Sequence, residues 1–335
     1  MSTTKNYSKN LITTNVNEEY FSKKDEVAVQ SKNTSKTLKR KVICFSDFDG
    51  TIFLQDTGHI LFDAHGCGPT RRATLEAQIA SGERSFRDVS EEMWASLRVP
   101  FDDGFALMKS SLDIDPHFKS FHQYCLAHDI PFNIISAGLK PVLRKVLDAF
   151  LGEEESGHIS IVANEAIISE GGSKWKPIWR HDNELGHNKA VSVQEAREQA
   201  KLTCEDGTIP LIVFIGDGIS DLPAAREADV LFARRGLKLE SYCIEHQIPF
   251  IAFDTFADIQ REVQKIREED ERETSGRGVP VRFNPRANLW RRVSSKNSVP
   301  QFLAGTLSNE EKIILMPEEI SEYKPKMTVD KGIAA

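Results

Sequence analysis

The sequence predicts an α/β protein with a doubly wound parallel sheet, because three apolar runs alternate with helical segments along the chain. The runs are VICFS at Val42–Ser46, FNII at Phe132–Ile135 and LIVFI at Leu211–Ile215. Each run is nearly continuous in apolar residues, which is typical of parallel strands buried on both faces. Strands that alternate with helices favour a parallel sheet covered by helices on both sides.

Further elements are predicted beyond these three strands. Shorter apolar runs at Val230–Ala233 and Phe250–Phe253 indicate two more strands, and a one-sided apolar stripe indicates a last helix over Phe256–Glu273. Residues 160–170, with the sequence SIVANEAIISE, predict a small hairpin that turns at Asn164-Glu165.

The segment between the first two strands is predicted to be a helical cap domain. It covers residues 52–131, far more than a simple crossover needs. Its apolar spacing predicts helices at Arg71–Ala80, Phe86–Leu97, Phe101–Leu112 and Phe118–His128. We therefore expect a core made of residues 41–53 and 130–266. The cap, residues 54–129, would stand over the carboxyl ends of the strands.

Both ends of the chain have compositions that predict disorder. Residues 1–40 are rich in Ser, Thr, Asn and Lys, and residues 267–335 pass from a charge run into Pro, Gly, Ser and scattered charges. The basic cluster Lys36–Lys41 is either a nuclear-import patch or a solvated edge. Ser294 follows Arg291-Arg292-Val293, which matches the site of a basophilic kinase.

Composition argues against several classes of protein. A net charge of −7 and a pI of about 5.8 argue against a general nucleic-acid binder. No apolar run is long enough to span a bilayer, and the first residues lack the apolar stretch of a signal peptide. The five cysteines show no paired spacing, which indicates reduced thiols and no zinc site. We expect a cytoplasmic, or also nuclear, monomer or homodimer that binds neither nucleic acid nor membrane.

The first candidate site follows directly after the first strand. Asp47 and Asp49, in the sequence DFDGT, point to the same side if the backbone stays extended. They lie at the carboxyl end of a strand, where ligands bind in open α/β sheets. Two carboxylates so close need a cation or a proton, and Mg²⁺ suits oxygen ligands best. The alternative is a solvated turn with helix-capping acids.

Other polar clusters follow the next two strands. Ser136-Ala137-Gly138 combines a hydroxyl with backbone N–H groups, which predicts an anion cradle or, alternatively, simple loop geometry. GDGISD places Asp217 to join the metal and Asp221 at a helix start, where a plain N-cap is the alternative role. Lys189, in GHNK, is by itself equally compatible with a surface charge. The consistent order of these clusters favours one shared site.

These motifs resemble a known family. The order DFDGT, SAG, K and GDGISD is similar to that of the haloacid dehalogenase phosphatase superfamily, and the helical insert resembles its subgroup with phosphoserine phosphatase. Closer similarity to fungal polyol-phosphate phosphatases and the related diketo-methylthiopentyl-phosphate phosphatases is carried by SFRDVSEEM, ISAGLKPVL, GHNKA and IGDGISDLPAAREADVLFARRG. The resemblance covers residues 41 to about 265 and implies a Rossmann-like core with an inserted cap.

The resemblance implies a phosphatase that hydrolyses phosphate monoesters through an aspartyl phosphate on Asp47. Asp49 would protonate the leaving alkoxide and then activate water. Mg²⁺ would be held by Asp47, the Asp49 carbonyl and Asp217.

Phosphate-binding residues are implied in the same way. Ser136, the Gly138 amide and Lys189 would bind the remaining phosphate oxygens. Asp221 would orient Lys189, Ser220 or a metal-bound water.

Substrate choice is expected to depend on the cap. Asp56 lies nine residues after Asp47, where the similar phosphoserine phosphatases carry a Glu that binds the substrate amine. Asp56 would instead accept hydrogen bonds from sugar or polyol hydroxyls. Their carboxylate-binding arginine corresponds to Met93, which argues against phosphoserine. Further candidate substrate contacts, each with packing or a surface role as the alternative, are Arg87, His59 and Trp94.

The resemblance leaves several functions open. A small phosphorylated metabolite is the expected partner, with a polyol or sugar phosphate favoured over 2,3-diketo-5-methylthiopentyl-1-phosphate or a phosphoserine-type substrate. A phosphotransferase or mutase would use the same aspartyl phosphate with another acceptor. A non-catalytic phosphate-site scaffold is the alternative from another class, and the intact catalytic set argues against it.

Overall fold

A single twisted sheet organises the protein. The computed structural model describes residues 41–202 and 210–274, with a seven-stranded sheet in the order β4-β3-β2-β1-β5-β6-β7. Neighbouring strands are parallel except β3 and β4, which are antiparallel. The strands are β1 Val42–Ser46, β2 Phe132–Leu139, β3 Ser160–Ile168, β4 Trp175–Ile178, β5 Leu211–Gly216, β6 Val230–Arg234 and β7 Ile251–Phe253. This architecture confirms the predicted fold class.

Helices cover both faces of the sheet, and four of them form the insert that follows β1. The insert contains α1 Thr57–His65, α2 Gly68–Ala80, α3 Phe86–Ala95 and α4 Phe101–Ser111. The other helices are α5 Phe118–Ala127, α6 Lys140–Leu151, α7 Glu153–Ser156, α8 Lys189–Leu202, α9 Leu222–Glu227, α10 Lys238–Glu245 and α11 Phe256–Thr274. Within the described ranges, no helix has the length and apolarity that crossing a membrane requires.

The central strand β1 is buried on both faces, as its apolar run predicts. Ile43 and Phe45 pack under α8, α9 and α10, whereas Val42 and Cys44 face the opposite layer with α5, α6 and α11. Parallel neighbours flank β1 on both sides, with Cys44 level with Phe132 of β2 and with Val213 of β5. The carboxyl end of β1 is therefore the point where the chain winds to either side, which is where α/β sheets bind ligands.

Helix α5 belongs to the core rather than to the cap, so the predicted cap range 54–129 is too long. The ring of Phe118 packs 5.0 Å from that of Phe256 in α11, and the ring of Phe121 lies 5.9 Å from that of Phe132 in β2. These aromatic contacts hold the helix against the sheet, and its length alone gave no sign of which layer it joins.

The turn of the hairpin predicted at 160–170 was placed wrongly. Strand β3 continues straight through Asn164-Glu165, pairs with β2 in its first half and with β4 in its second half. The reversal lies at residues 169–174, where the Ser169 amide donates to the Lys174 carbonyl over 2.9 Å. The Asn164 side chain bonds the backbone of neighbouring segments, so its polarity marks a cross-link instead of a turn.

The insert is joined to the core by aromatic packing. Trp175 of β4 is almost fully buried, stacks on Trp94 of α3 and donates its indole N–H to the Val99 carbonyl over 2.8 Å. Trp94 also meets Phe62 of α1 edge to face. Helix α1, which the sequence analysis did not predict, begins after Asp56, whose side chain caps it.

The last helix extends beyond residue 266, where the core was predicted to end. Residues 267–274, expected in the disordered tail, continue α11, and Arg267 donates to the Tyr124 hydroxyl of α5 over 3.1 Å. The expectations for residues 1–40, for most of the Lys36–Lys41 cluster and for Ser294 lie outside the described residues.

The aromatic contact between α5 and α11 predicts a large stability effect. Replacing the fully buried Phe256 with Ala leaves a cavity among Phe118, Phe121 and Phe253, so the free energy of unfolding should fall by about 3–5 kcal/mol. Urea titration measures the change. Leu202→Ala is the control, since this side chain is 81% exposed and should shift the midpoint little. Equal shifts for both variants would contradict the assigned packing.

Candidate active site

Asp47 begins the site at the end of β1. Its amide donates to the Ile215 carbonyl of β5 over 2.9 Å, which extends the sheet ladder by one residue. Its carboxylate Oδ1 accepts from the Phe48 amide over 2.7 Å and lies 2.9 Å from the Lys189 ammonium. Burial raises the pKa of Asp47 well above its usual value, and the neighbouring Asp221 carboxylate raises it further. The structure thus fixes an oriented carboxylate at the strand end.

Asp49 lies in the turn between β1 and α1, two residues after Asp47. Strand β1 ends at Ser46 and the chain turns at Gly50, with φ +75°, so the two-residue alternation of extended backbone does not continue. The Asp49 carboxylate accepts from the Thr57 amide at the start of α1 over 2.8 Å. Burial raises the pKa of Asp49 to about 8, with the charge of Asp56 adding to the effect. The carboxylates clustered with Asp47 are instead those of Asp217 and Asp221.

Three carboxylates and one ammonium form a buried charge cluster, which we call the acid cluster. Oxygens of Asp47, Asp217 and Asp221 lie within 4.8 Å of one another, and Lys189 contacts Asp47 and Asp221. Three negative charges against one positive leave two to be balanced. Burial, followed by the charge of Asp221, raises the pKa of Asp217 to about 7. An all-oxygen donor set with this residual charge fits a hard divalent cation such as Mg²⁺.

Both oxygens of the Asp221 carboxylate accept hydrogen bonds from the protein. Its Oδ1 accepts from the Lys189 ammonium over 2.7 Å, and its Oδ2 accepts from the amides of Asp217 and Gly218 over 3.0 and 3.1 Å. Asp221 occupies the N-cap position of α9 but makes no side-chain hydrogen bond to that helix; its bond from the Gly218 amide instead caps the short 3-10 turn Ile219–Asp221. Burial alone would lower the pKa of Lys189, but the carboxylates of Asp221 and Asp47 outweigh it and raise the pKa.

Two residues without a predicted role, Thr51 and Arg234, support the Asp217 carboxylate. The Thr51 hydroxyl donates to Asp217 over 2.6 Å. Arg234, at the end of β6, donates to the Thr51 carbonyl over 2.6 Å and pairs with the buried Asp115 at 3.0 Å. Thr51 lies inside the quoted DFDGT motif, whereas nothing in the sequence pairs Arg234 with a residue 119 positions away.

The anion cradle predicted at Ser136-Ala137-Gly138 lies inside β2, which runs on to Leu139 before α6 begins. The Ser136 side chain is buried, and its hydroxyl accepts from the Gly138 amide over 3.0 Å. The Ala137 carbonyl accepts from Asn164 over 2.8 Å. A Cβ on Gly138 would lie 3.8 Å from Oδ2 of Asp49, so the Asp49 carboxylate lies beside the cradle.

Asp56 and His59 lie beside Asp49. Asp56 caps α1 through the His59 amide, at 2.8 Å, and its charge contributes to the raised pKa of Asp49. The His59 ring contacts Glu76 of α2 at 2.8 Å. Burial would lower the pKa of His59, but the hydrogen bond to Glu76 and the charge of Asp56 outweigh it and raise the pKa. Asp56 and His59 thus remain candidates for substrate contact.

The other cap candidates have partners of their own. Arg87 pairs with Asp182 at 2.6 Å, and its amide donates to the Glu184 carbonyl, so it joins α3 to the segment after β4. Trp94 packs in the apolar core, as does Met93. For Arg87 and Trp94 the structural alternatives therefore hold.

The chain is similar to known proteins over the range that contains this site. The profile of the haloacid dehalogenase-like hydrolase family matches residues 44–226. Pdp3-interacting factor 1 from Schizosaccharomyces pombe is 38% identical over 228 residues, which cover 68% of this chain and 97% of the relative. Polyol phosphate phosphatase PYP1 from Saccharomyces cerevisiae is 34% identical over 227 residues, covering 68% and 94%. The 2-hydroxy-3-keto-5-methylthiopentenyl-1-phosphate phosphatase from Bacillus cytotoxicus is 31% identical over 229 residues, covering 67% and 96%.

Solved structures share the fold at lower identity. A substrate-bound phosphoserine phosphatase complex aligns with a TM-score of 0.51 over 67% of this chain and 99% of its own, at 14% identity. A phospho-aspartyl intermediate analogue of phosphoserine phosphatase gives 0.50 over 68% and 99%, also at 14%. At this identity the likeness concerns the fold and not the substrate.

The matched range spans the site. Residues 44–226 are more than half of the chain and contain Asp47, Ser136, Lys189, Asp217 and Asp221. Two of the three relatives are named as phosphatases, and all three align along nearly their whole length. The chain therefore belongs to the haloacid dehalogenase-like hydrolase family and is a phosphoric monoester hydrolase.

Proposed function

We propose that this protein is a Mg²⁺-dependent phosphatase that hydrolyses a polyol or sugar phosphate through an aspartyl phosphate on Asp47. The observation that carries the proposal is the acid cluster, in which Asp47 is held by Lys189 and faces Asp217. Asp49 lies two residues on and reaches toward the cradle of Ser136 and Gly138.

The proposed first step uses Asp47 as the nucleophile. One of its carboxylate oxygens attacks phosphorus, and the bond between phosphorus and the leaving oxygen breaks. The Phe48 amide and Lys189 hold the carboxylate in one orientation, which removes the cost of positioning it during the reaction. Lys189 and Ser136 bind the phosphoryl oxygens.

Asp49 is the proposed acid and then the base. The Thr57 amide binds its Oδ1, while its Oδ2 lies toward Gly138. Asp49 gives a proton to the leaving alkoxide and later takes one from the water that attacks the aspartyl phosphate, which releases phosphate and restores Asp47.

Asp47 and Asp217 are the proposed side-chain ligands of Mg²⁺, with the Asp49 carbonyl as a backbone ligand. When bound, the ion neutralises charge on the phosphoryl group. Asp221 is a supporting residue, because both of its oxygens already accept hydrogen bonds from Lys189 and from backbone amides.

The cap favours an uncharged, hydroxyl-bearing leaving group. Asp56 and His59 offer a hydrogen-bond acceptor and a donor beside Asp49. Every described arginine of residues 54–117 has a partner, so the cap offers no unpaired guanidinium to a substrate carboxylate. The pairs join Arg71 and Arg84 to Glu92, Arg72 to Asp63 and Glu76, Arg87 to Asp182 and Arg98 to backbone carbonyls.

The names of the relatives suggest two possible substrates and one role other than catalysis. The names of the yeast and bacterial relatives specify a polyol phosphate and 2-hydroxy-3-keto-5-methylthiopentenyl-1-phosphate, neither of which has a carboxylate. The relative at 38% identity is named for an interaction with Pdp3, so a binding role is the alternative from another class. Absence of metal-dependent turnover of p-nitrophenyl phosphate would favour that alternative.

Replacing the nucleophile is the first test. Asp47→Asn should lower kcat for p-nitrophenyl phosphate with Mg²⁺ by about a thousandfold or more, because an amide does not form the phosphoenzyme. Asp129→Asn is the matched control, since Asp129 is exposed and its φ of 54° suits Asn. Substantial turnover by clean Asp47→Asn protein would refute the assignment.

The metal site is tested through Gly50. A Cβ at Gly50 would lie 2.6 Å from Cγ of Asp217, so Gly50→Ala should displace that ligand and weaken Mg²⁺ binding about tenfold or more. Calorimetric titration with Mg²⁺ measures the dissociation constant without turnover. Gly68→Ala is the control: its φ of +79° matches the +75° of Gly50, but nothing lies within 4 Å of its Cβ. An equal loss of affinity in both variants would point to backbone strain alone.

Substrate choice is tested through Asp56. Asp56→Asn keeps the helix cap but removes the charge, so kcat/KM for sorbitol 6-phosphate and glucose 6-phosphate should fall about tenfold. p-Nitrophenyl phosphate has no hydroxyl to bind and a leaving group that needs little protonation, so it serves as the internal control and should lose less activity than the sugar phosphates. Phosphoserine should be a poor substrate of the wild-type protein. A preference for phosphoserine over both sugar phosphates would overturn the substrate proposal.

A further inference from the structure

A buried histidine joins the walls of the phosphate cradle. His187 is 3% exposed and lies in the segment between β4 and α8. Its Nδ1 is 2.7 Å from the Ser136 carbonyl of β2, and its Nε2 is 3.0 Å from the Ser192 hydroxyl of α8. One ring therefore spans two separate elements that each carry a proposed phosphate ligand, Ser136 on β2 and Lys189 on α8.

The partners of the ring determine its tautomer. A carbonyl oxygen only accepts hydrogen bonds, so Nδ1 must carry the proton that it shares with Ser136. Nε2 is then the acceptor, and the Ser192 hydroxyl donates to it. Burial lowers the pKa of His187 to about 3, with the hydrogen bond to Ser136 opposing the effect, so the ring is neutral at physiological pH.

Hydrogen bonds of Asn188 fix the backbone at the start of α8. The Asn188 amide donates to Nδ1 of His181 over 3.0 Å, and the Asn188 side chain accepts from the Ala190 amide over 3.0 Å. These bonds hold the backbone on either side of Lys189 but do not reach β2. Among the described hydrogen bonds, that of His187 to Ser136 is the direct link from this segment to the cradle strand.

We propose that His187, as the neutral Nδ1–H tautomer, is a positioning residue that sets the spacing between Ser136 and Lys189. The inference rests on the proposed function in one respect, which is that these two residues bind phosphate. Lys189 is already tied to Asp47 and Asp221, so its position relative to β1 is fixed. On the β2 side, Asn164 of β3 binds the Ala137 carbonyl, and His187 binds the Ser136 carbonyl and links it to the segment that carries Lys189.

Two substitutions separate positioning from packing. In His187→Gln, the amide N–H can donate to the Ser136 carbonyl and the amide oxygen can accept from Ser192. In His187→Leu, the site is filled but both bonds are lost. We expect His187→Leu to raise the inhibition constant for inorganic phosphate and to lower kcat/KM for p-nitrophenyl phosphate, each about 10- to 100-fold. His187→Gln should stay within about threefold of wild type, because both bonds can re-form.

His122→Leu is the matched control for lost stability. His122 is also buried, at 1% exposure, and contacts Glu155 at 3.3 Å, but it packs on Phe118 and Phe132 at the amino end of β2. It should lower the melting temperature as His187→Leu does, while phosphate inhibition stays unchanged. If both Leu variants weaken phosphate inhibition equally, or if His187→Leu leaves it unchanged, the positioning role is refuted.

A measurement without turnover separates this inference from the proposed function. Nitrogen-15 NMR of the wild-type ring should show a protonated Nδ1 and an unprotonated Nε2, and the reverse tautomer would overturn the inference. Phosphate binding by wild type, His187→Gln and His187→Leu can be followed by calorimetry whether or not the protein hydrolyses the test substrate. The protein could show no turnover while the tautomer and the order of phosphate affinities among the three proteins are as expected. That result would count against the proposed function and still support the role of His187.

Discussion

The buried ammonium of Lys189 is the interaction on which the site depends. It is 2% exposed and lies between carboxylates from the ends of two strands, Asp47 after β1 and Asp221 after β5. Charges in a protein interior lose their hydration and are stable there when they are paired and hydrogen-bonded. Because each partner would be left uncompensated without the others, the cluster holds β1, β5 and α8 in one arrangement.

Backbone N–H groups also stabilise the buried carboxylates of the acid cluster. The amides of Phe48, Asp217 and Gly218 all donate to carboxylates of the acid cluster, and the Thr51 hydroxyl donates to Asp217. These donors belong to the turns that follow β1 and β5, so the same turns that end the strands also orient the acids. Small residues are needed there: a Cβ on Gly50 or Gly216 would overlap a carboxylate of Asp217 or Asp221.

The cap shares its apolar core with the catalytic domain. Trp175 of the edge strand β4 packs on Trp94 and Phe101 of the insert, and Arg87 pairs with Asp182 in the segment that leads to Lys189. The cap is therefore anchored through the same part of the chain that leads to Lys189.

Local patterns in the sequence determined the layers and the strand ends. Continuous apolar runs predicted β1, β2 and β5, and the polar clusters after them predicted that Asp47, Ser136 and Asp217 share one edge of the sheet. Such patterns involve residues that are close in the chain, so a single sequence is enough to recognise them. The same patterns did not predict α1, the turn after β3 or the membership of α5 in the core.

Tertiary structure alone decided which side chains pair. Lys189 binds Asp221, 32 residues away, Arg234 binds the Thr51 carbonyl, 183 residues away, and Asp49 accepts from the Thr57 amide at the start of α1. His187 was visible in the GHNKA motif, but its bond to Ser136 exists only because α8 packs beside β2. Periodicity records which face of an element is buried, whereas contacts between distant elements depend on how whole elements pack, and a single sequence does not encode that packing in any local pattern.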